Sequence, residues 1–207
     1  RVWDSIVVAV GSTTLAVAIA VLAAYGLSRM DFRGRHAFVA WVLSTRMMPP
    51  VAVAIPLFFI YKDIGLMDSY LGIILIHAVM NLPLAVLLMK SFFDDIPREI
   101  DESAVIDGAS RFKTIVSITL PLIAPGVVAT SIFSMFISWN NFIFPLILSS
   151  KRAKTLPVYI AEYVGTTGIR WPEIMAASVI ALIPVIIFTY MVQQRLVQGL
   201  SAGAVKG

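Results

Sequence analysis

The residues of this chain with the most evident chemistry form a polar segment between two long apolar runs. Its six acidic residues, against four basic ones, are Asp94, Asp95, Glu99, Asp101, Glu102 and Asp107. Acidic residues are favoured in the first turn of a helix, and glycine provides the backbone freedom that ends one. We therefore predict a short helix that has Pro97 in its first turn and ends at Gly108. A second short helix follows, with Ser110 as its N-cap.

Apolar residues form a narrow stripe on the first of these short helices and are expected to face inward on the second. They are Ile96, Ile100 and Ala104 in the first helix, and Phe112, Ile115 and Val116 in the second. The carboxylates would then be exposed to water. The segment could be an ordinary interfacial anchor, but such anchors favour Lys and Arg on their polar face. The excess of acidic residues beside anionic lipid favours recognition by a basic protein.

A second set of polar residues lies inside the apolar runs. Asn140 and Asn141 can hydrogen-bond the hydroxyls of a sugar, and Trp139 can stack on its apolar face. The alternative is that these side chains bond neighbouring helices. Arg46 is costly inside a bilayer, so it should either donate to carbonyls freed by the prolines that follow it or line a translocation path. His77 is interpreted as a hydrogen-bonded packing residue.

The chain lacks the motifs of several enzyme and carrier classes. It has no cysteine, no phosphate-binding Gly-x-x-x-x-Gly-Lys-Ser/Thr motif, and no His-Glu-x-x-His or Gly-x-Ser-x-Gly motif. All twelve acidic residues lie in connections or at the ends of apolar runs, whereas ion-coupled carriers generally need one within the membrane. We therefore expect no catalytic residue, no cofactor and no metal site.

The elements that position these residues are long apolar runs. Of the 207 residues, 59% are hydrophobic and 14% charged, and the mean hydropathy is +0.90, as in a polytopic membrane protein. The runs that can cross a bilayer are residues 5–28, 37–61, 69–89, 125–148 and 174–194. Because backbone polar groups need partners inside lipid, we predict an all-α membrane helix bundle with five transmembrane helices.

The distribution of basic residues predicts the orientation of the bundle. The connections after the first and third runs and the C-terminal tail carry nine basic residues, and the opposite side carries six. Basic residues are enriched on the cytoplasmic side. The polar segment and the C-terminus are therefore expected in the cytoplasm.

The polar segment resembles the cytoplasmic docking loop of the membrane subunits of bacterial binding-protein-dependent ABC importers. The family pattern is Glu-Ala-Ala, three residues, Gly, about nine residues, and then an apolar residue with Leu-Pro. The matching residues here are Glu102-Ser103-Ala104, Gly108 and Leu120-Pro121. Ser103 replaces an alanine and is small enough to keep close helix packing.

Further segments resemble the carbohydrate-uptake branch of that family. They are Arg46-Met47-Met48-Pro49-Pro50 with Pro56, Ser138-Trp139-Asn140-Asn141-Phe142 with Pro145, and residues 199–207, which are similar to the end of maltose-permease-type subunits. The resemblance covers nearly the whole chain. The family has six spans, so we expect one more span before residue 1.

The resemblance implies a single transmembrane domain over residues 1–207, with a coupling-helix loop at 91–117 and a cytoplasmic tail at 199–207. The residues expected to dock on the ATPase are Glu99, Glu102, Ser103, Ala104, Asp107, Gly108, Ala109, Leu120 and Pro121. Those expected along the substrate path are Arg46, Trp139, Asn140 and Asn141. The implied function is the permease subunit of an importer for a sugar, oligosaccharide or polyol.

The resemblance also implies the partners and the location. ATP would be bound by a separate cytoplasmic ATPase dimer, substrate would come from an extracytoplasmic binding protein, and a second homologous permease would complete the pathway in the bacterial cytoplasmic membrane. Two alternatives stay open. One is an ion-coupled secondary carrier that uses Arg46 and His77, and the other is a non-transporting scaffold whose polar segment recruits a cytosolic protein.

Overall fold

The computed structural model describes residues 1–165 and 168–203, with side chains up to Met191. The helices are α1 (Val2–Arg29), α2 (Arg35–Thr45), α3 (Pro50–Asp63), α4 (Tyr70–Asp94), α5 (Arg98–Ile106), α6 (Arg111–Thr114), a π-helix (Ile115–Thr119), α7 (Leu120–Leu122), α8 (Ala124–Asn140), α9 (Ile143–Leu148), α10 (Leu156–Ala161) and α11 (Trp171–Gly203). Two short antiparallel strands, β1 (Val164–Gly165) and β2 (Gly168–Ile169), pair Val164 with Ile169 and Gly165 with Gly168. The predicted helical membrane bundle is confirmed.

Among the described residues, three helices are each long and apolar enough to cross a membrane: α1, α4 and the Trp171–Met191 part of α11. Two further candidate spans are bent pairs. Helices α2 and α3 meet at 90°, and the segment Arg111–Leu122 meets α8 at 83°. With each bent pair counted as one span, the described residues reach the predicted five.

Proline explains where the predicted runs break. The run 37–61 stops being helical between Thr45 and Pro50, because two consecutive prolines cannot donate to the hydrogen-bond ladder. The run 125–148 was expected to be one helix, but α8 ends at Asn140 and α9 begins at Ile143. Pro145 cannot donate to the carbonyl of Asn141, four residues earlier, which favours a break at this point.

Helix α1 is the centre of the bundle and packs against α4 and α8. Hydrogen bonds join Tyr70 to Asp4 at one end and Ser28 to Asp94 at the other, so α1 and α4 run parallel. Fully buried alanines on α1 let the helices approach closely; these are Ala9, Ala16, Ala20 and Ala24. Gly126 of α8 lies directly on the ring of Phe92, where a Cβ atom would clash.

The connection before α4 is tied to the connection after α9 by one carboxylate. Asp68 has a left-handed backbone (φ 51°) and accepts from the backbone N–H groups of Ser150 (2.9 Å), Lys151 (3.0 Å) and Arg152 (2.9 Å). Partial burial raises the pKa of Asp68, but these hydrogen bonds outweigh it and lower the pKa to about 2. The next residue, Ser69, caps α4 by accepting from the backbone N–H of Gly72 (3.0 Å).

Candidate functional site

The polar segment folds as two short helices separated by Gly108. Helix α5 begins directly after Pro97 and ends at Ile106; its C-cap is Asp107, and Gly108 follows with φ 84°. No atom lies within 4 Å of the position that a Cβ would take at Gly108, so the constraint there is conformational. Ser110 caps α6 by accepting from the backbone N–H of Lys113 (3.3 Å). The predicted helix end at Gly108 and the cap at Ser110 are confirmed.

The inner face of α5 is held to the bundle by a buried ion pair. The carboxylate of Asp101 pairs with Nε of Arg29, which lies in the last turn of α1, and both side chains are less than one-tenth exposed. The hydroxyl of Thr119 donates to the other Asp101 oxygen (2.6 Å), and Nη2 of Arg29 donates to the carbonyl of Ile96 (3.0 Å). Ala104 is buried on the same face. The expectation that Asp101 is exposed with the other carboxylates is therefore wrong.

The outer face of α5 carries polar residues that are left for solvent or a partner. Glu99, Glu102, Ser103 and Asp107 are exposed. Neither glutamate forms an ion pair with any residue that the structure describes. Ser103 donates to the carbonyl of Ile100 in its own helix (3.0 Å). This face combines free negative charge with a fixed backbone.

Large apolar side chains lie beside these carboxylates. Ile106 is 85% exposed and Phe112 is 68% exposed. Ile115 is buried as expected, but Phe112 and Val116 are exposed, so the predicted inward side of the second helix is wrong for them. The reason is that this helix is only one turn long and continues as a π-helix, which changes the angular spacing of its side chains.

The remaining predicted docking residues lie around α5. Ala109 and Leu120 are half-buried, and Pro121 is exposed at the start of α7. The π-helix closes just before Pro121, with the N–H of Leu120 donating to the carbonyl of Ile115. The structure thus brings the predicted docking residues to one end of the bundle.

A cavity of about 830 Å³ lies against α1, α2, α4, α8 and α9. Most of its lining is apolar, including Ile19 and Ala23 of α1. Its polar side chains come from the two helix breaks and are Thr45, Arg46, Asn140 and Asn141. An apolar wall with a few converging polar groups suits a small ligand with hydroxyl groups.

The two asparagines differ from the sequence expectation. In the single helix predicted for residues 125–148, neighbouring side chains would point about 100° apart, and only one of the asparagines could face a cavity squarely. Asn140 is instead the last residue of α8, and Asn141 is extended (φ −70°, ψ 125°), so both line the cavity. Asn140 donates to the carbonyl of Phe136 (2.8 Å), and the buried Oδ1 of Asn141 has no partner among the described residues.

The other polar residues of the apolar runs lie in different settings. Arg46 is exposed at the corner between α2 and α3, and its guanidinium donates to no residue that the structure describes. Trp139 does not line the cavity; it is buried and donates to the carbonyl of Ala181 on α11 (3.2 Å). His77 is buried, and neither of its ring nitrogens has a partner in the described part of the chain. The predicted hydrogen bond of His77 is therefore not seen.

Residues 16–202 match the family of binding-protein-dependent transport system inner membrane components. The chain belongs to this family. It is a multi-pass inner-membrane permease of the ABC type and works with an ATPase and a substrate-binding protein.

Related permeases match almost the entire chain. The permease is 39% identical over 206 residues to the trehalose/maltose transport system permease protein MalG of Thermococcus litoralis, covering 99% of this chain and 74% of the relative. It is 37% identical over 206 residues to the sulfoquinovosyl glycerol transport system permease protein SmoH of Agrobacterium fabrum, covering 99% and 72%. These relatives confirm the resemblance to the carbohydrate-uptake branch.

Solved transporters share the fold of the permease. One is a bacterial ABC transporter that imports the acidic polysaccharide alginate, with a TM-score of 0.75, 25% identity, and coverage of 93% of this chain and 73% of that one. The MetNI methionine ABC transporter, in an inward-facing conformation, matches with a TM-score of 0.71 at 16% identity, covering 93% and 91%. The second likeness concerns the fold alone.

Sequence reasoning missed two features of the site. The first is the role of Arg29, which was counted only as a charge that sets orientation. Its partner is 72 positions away, and no local pattern indicates that distance. The second is the β1–β2 hairpin, in which Gly165 ends the first strand and Gly168 begins the second. These two glycines were an available turn signal.

Proposed function

We propose that this permease carries a sugar, oligosaccharide or polyol inward across the cytoplasmic membrane, driven by ATP hydrolysis in a separate ATPase dimer. The observation that carries the proposal is the contrast between the two faces of α5. Its inner face is clamped to the bundle, while its outer face exposes Glu99 and Glu102 with apolar Ile106 beside them. A rigid helix with a free face is suited to receive a push from a bound protein.

The ATPase is expected to contact the outer face of α5 and the residues around it. The exposed carboxylates would meet basic residues, and Ile106 with Phe112 would fill an apolar groove. The polar segment then lies in the cytoplasm. The predicted contact of the tail 199–207 falls largely outside the described residues, and it is proposed on the family resemblance alone.

The cavity is the proposed substrate path. Its polar groups, Arg46, Asn140 and Asn141, can bond sugar hydroxyls, and its apolar wall can contact the C–H faces of a sugar ring. A second, homologous permease would close the open side. The substrate class is supported by the names of the related permeases, which include trehalose, maltose and sulfoquinovosyl glycerol.

Reconstitution tests the proposal. The permease, its partner permease, its ATPase and its binding protein are placed in liposomes, and uptake of radiolabelled trehalose and maltose is measured with ATP enclosed. Uptake that needs ATP and stops with a hydrolysis-deficient ATPase is the expected result. Uptake that follows a proton or sodium gradient without ATP would support the ion-coupled carrier, and absence of flux for every sugar and polyol tried would support the scaffold.

A further inference from the structure

We propose that Arg29 is a positioning residue for energy coupling, which links α5 to the central helix of the bundle through its ion pair with Asp101. This inference rests on the proposed function and adds a defined connection between the docking face and the cavity.

The ion pair fixes α5 in rotation as well as in position. Asp101 is one turn into α5, and Arg29 lies in the last turn of α1. Each Asp101 oxygen has its own donor, and the Arg29 guanidinium reaches both Asp101 and the carbonyl of Ile96, the residue that precedes Pro97. An apolar contact would allow α5 to roll or slide, whereas this set of directional bonds does not.

Helix α1 connects this point to the cavity without a break. Ile19 and Ala23 line the cavity, and they lie about 15 Å and about 9 Å from Arg29 along the helix axis. Between Ala23 and Arg29, the side chains of Ala24 and Tyr25 are buried, and the Tyr25 ring packs edge-on against Phe93 of α4 (5.7 Å between centroids). A displacement of α5 therefore moves a rigid element that forms part of the cavity wall.

Thr119 provides the second anchor. It is fully buried, belongs to the π-helix, and is followed closely by α7 and α8. Helix α8 brings Asn140 to the cavity. The single carboxylate of Asp101 thus holds the last turn of α1 and the π-helix that precedes α7 and α8, so that two of the helices lining the cavity are connected to α5 at the same point.

The test measures sugar transported per ATP hydrolysed in the reconstituted complex. Arg29→Met should lower this ratio about tenfold, within the range typical of coupling between sites, while assembled complex and binding of the ATPase persist. Arg29→Lys should recover part of the ratio, and the exchanged pair Arg29→Asp with Asp101→Arg should recover more than either single change. Lys90→Met is the matched control, because Lys90 pairs with Asp94 inside α4 and joins no two elements.

A cross-linking variant keeps the test decisive when Arg29→Met assembles poorly. This chain contains no other thiol, so Arg29→Cys with Asp101→Cys can be joined specifically by a bis-methanethiosulfonate linker, which forms two disulfides with release of methanesulfinate and is cleaved by a reductant. The joined protein should transport with a near-normal ratio, and cleavage of the linker should lower that ratio. An unchanged ratio after cleavage, or a normal ratio in assembled Arg29→Met, would overturn the inference. Lack of ATP-driven uptake by the wild-type complex would instead contradict the proposed function.

Discussion

Replacement of Gly108 by valine should weaken binding of the ATPase without affecting membrane assembly. Gly108 has φ 84°, a conformation that costs an L-residue about 1–2 kcal/mol and a β-branched residue the upper part of that range. No atom lies near the position of the new Cβ, so steric overlap adds nothing. The whole cost therefore falls on the loop conformation that presents α5 and α6 together.

A cost of about 2 kcal/mol corresponds to a roughly 30-fold rise in the Kd for the ATPase. The assay is binding of the purified ATPase to the permease in nanodiscs. Gly108→Asn should lose much less, because asparagine tolerates the left-handed region. Gly34→Val is the matched control, since Gly34 has nearly the same φ (88°), has open space around it, and lies outside α5 and α6. Equal losses for Gly108→Asn and Gly108→Val, or an equal loss for Gly34→Val, would refute the conformational argument.

Three further predictions concern other parts of the permease. Glu102→Lys should weaken ATPase binding by about 2–5 kcal/mol, because it reverses one charge of a docked pair. Glu102→Gln should weaken binding less. Normal binding by the lysine variant would show that this residue is not in the interface. Asn141→Ala should lower sugar uptake per assembled complex more than Asn140→Ala does. The reason is that Asn140 already donates a hydrogen bond within its own helix, whereas the Oδ1 of Asn141 has no described partner. Equal uptake by both variants and the wild type would assign both asparagines to packing. Asp68→Asn should lower stability at neutral pH by about 1 kcal/mol, an amount reduced by solvent screening. Because the pKa of Asp68 is lowered, its contribution to stability is complete above pH 3.8 and disappears as the pH falls towards about 2. The melting temperature of the Asp68→Asn variant should therefore lose the part of its pH dependence that lies between these values. A variant whose melting temperature depends on pH as the wild type does would contradict the assignment.

The features that the sequence predicts well depend on short stretches of chain. The helix end at Gly108 and the cap at Ser110 follow from the backbone chemistry of two to four residues. The membrane bundle follows from the length and apolar character of the runs. The break after Asn140 was also within reach, because Pro145 removes the donor to the carbonyl four residues earlier.

The features that the sequence does not predict depend on residues far apart in the chain. Asp101 is one of several similar carboxylates in the polar segment, and only the tertiary fold brings Arg29 and Thr119 to it. The prolines after Arg46 predict a break, but the angle of 90° between α2 and α3 follows from how each helix packs on its neighbours. Exposure of Phe112 likewise follows from the π-helix, whose spacing has no sequence periodicity to detect.

The inner and outer faces of α5 have different energetic demands, which explains why charge is used on both. Burial of an ion pair such as Arg29 and Asp101 rarely adds stability over an apolar contact, because desolvation offsets the attraction. Loss of one partner, in contrast, leaves a buried charge and costs about 3–5 kcal/mol. The pair therefore contributes little to the free energy of folding, but a rotation of α5 relative to α1 that breaks it is strongly unfavourable. The exposed carboxylates on the other face stay hydrated until a partner binds, so they can favour binding. The buried pair then determines which movement of α5 that binding produces.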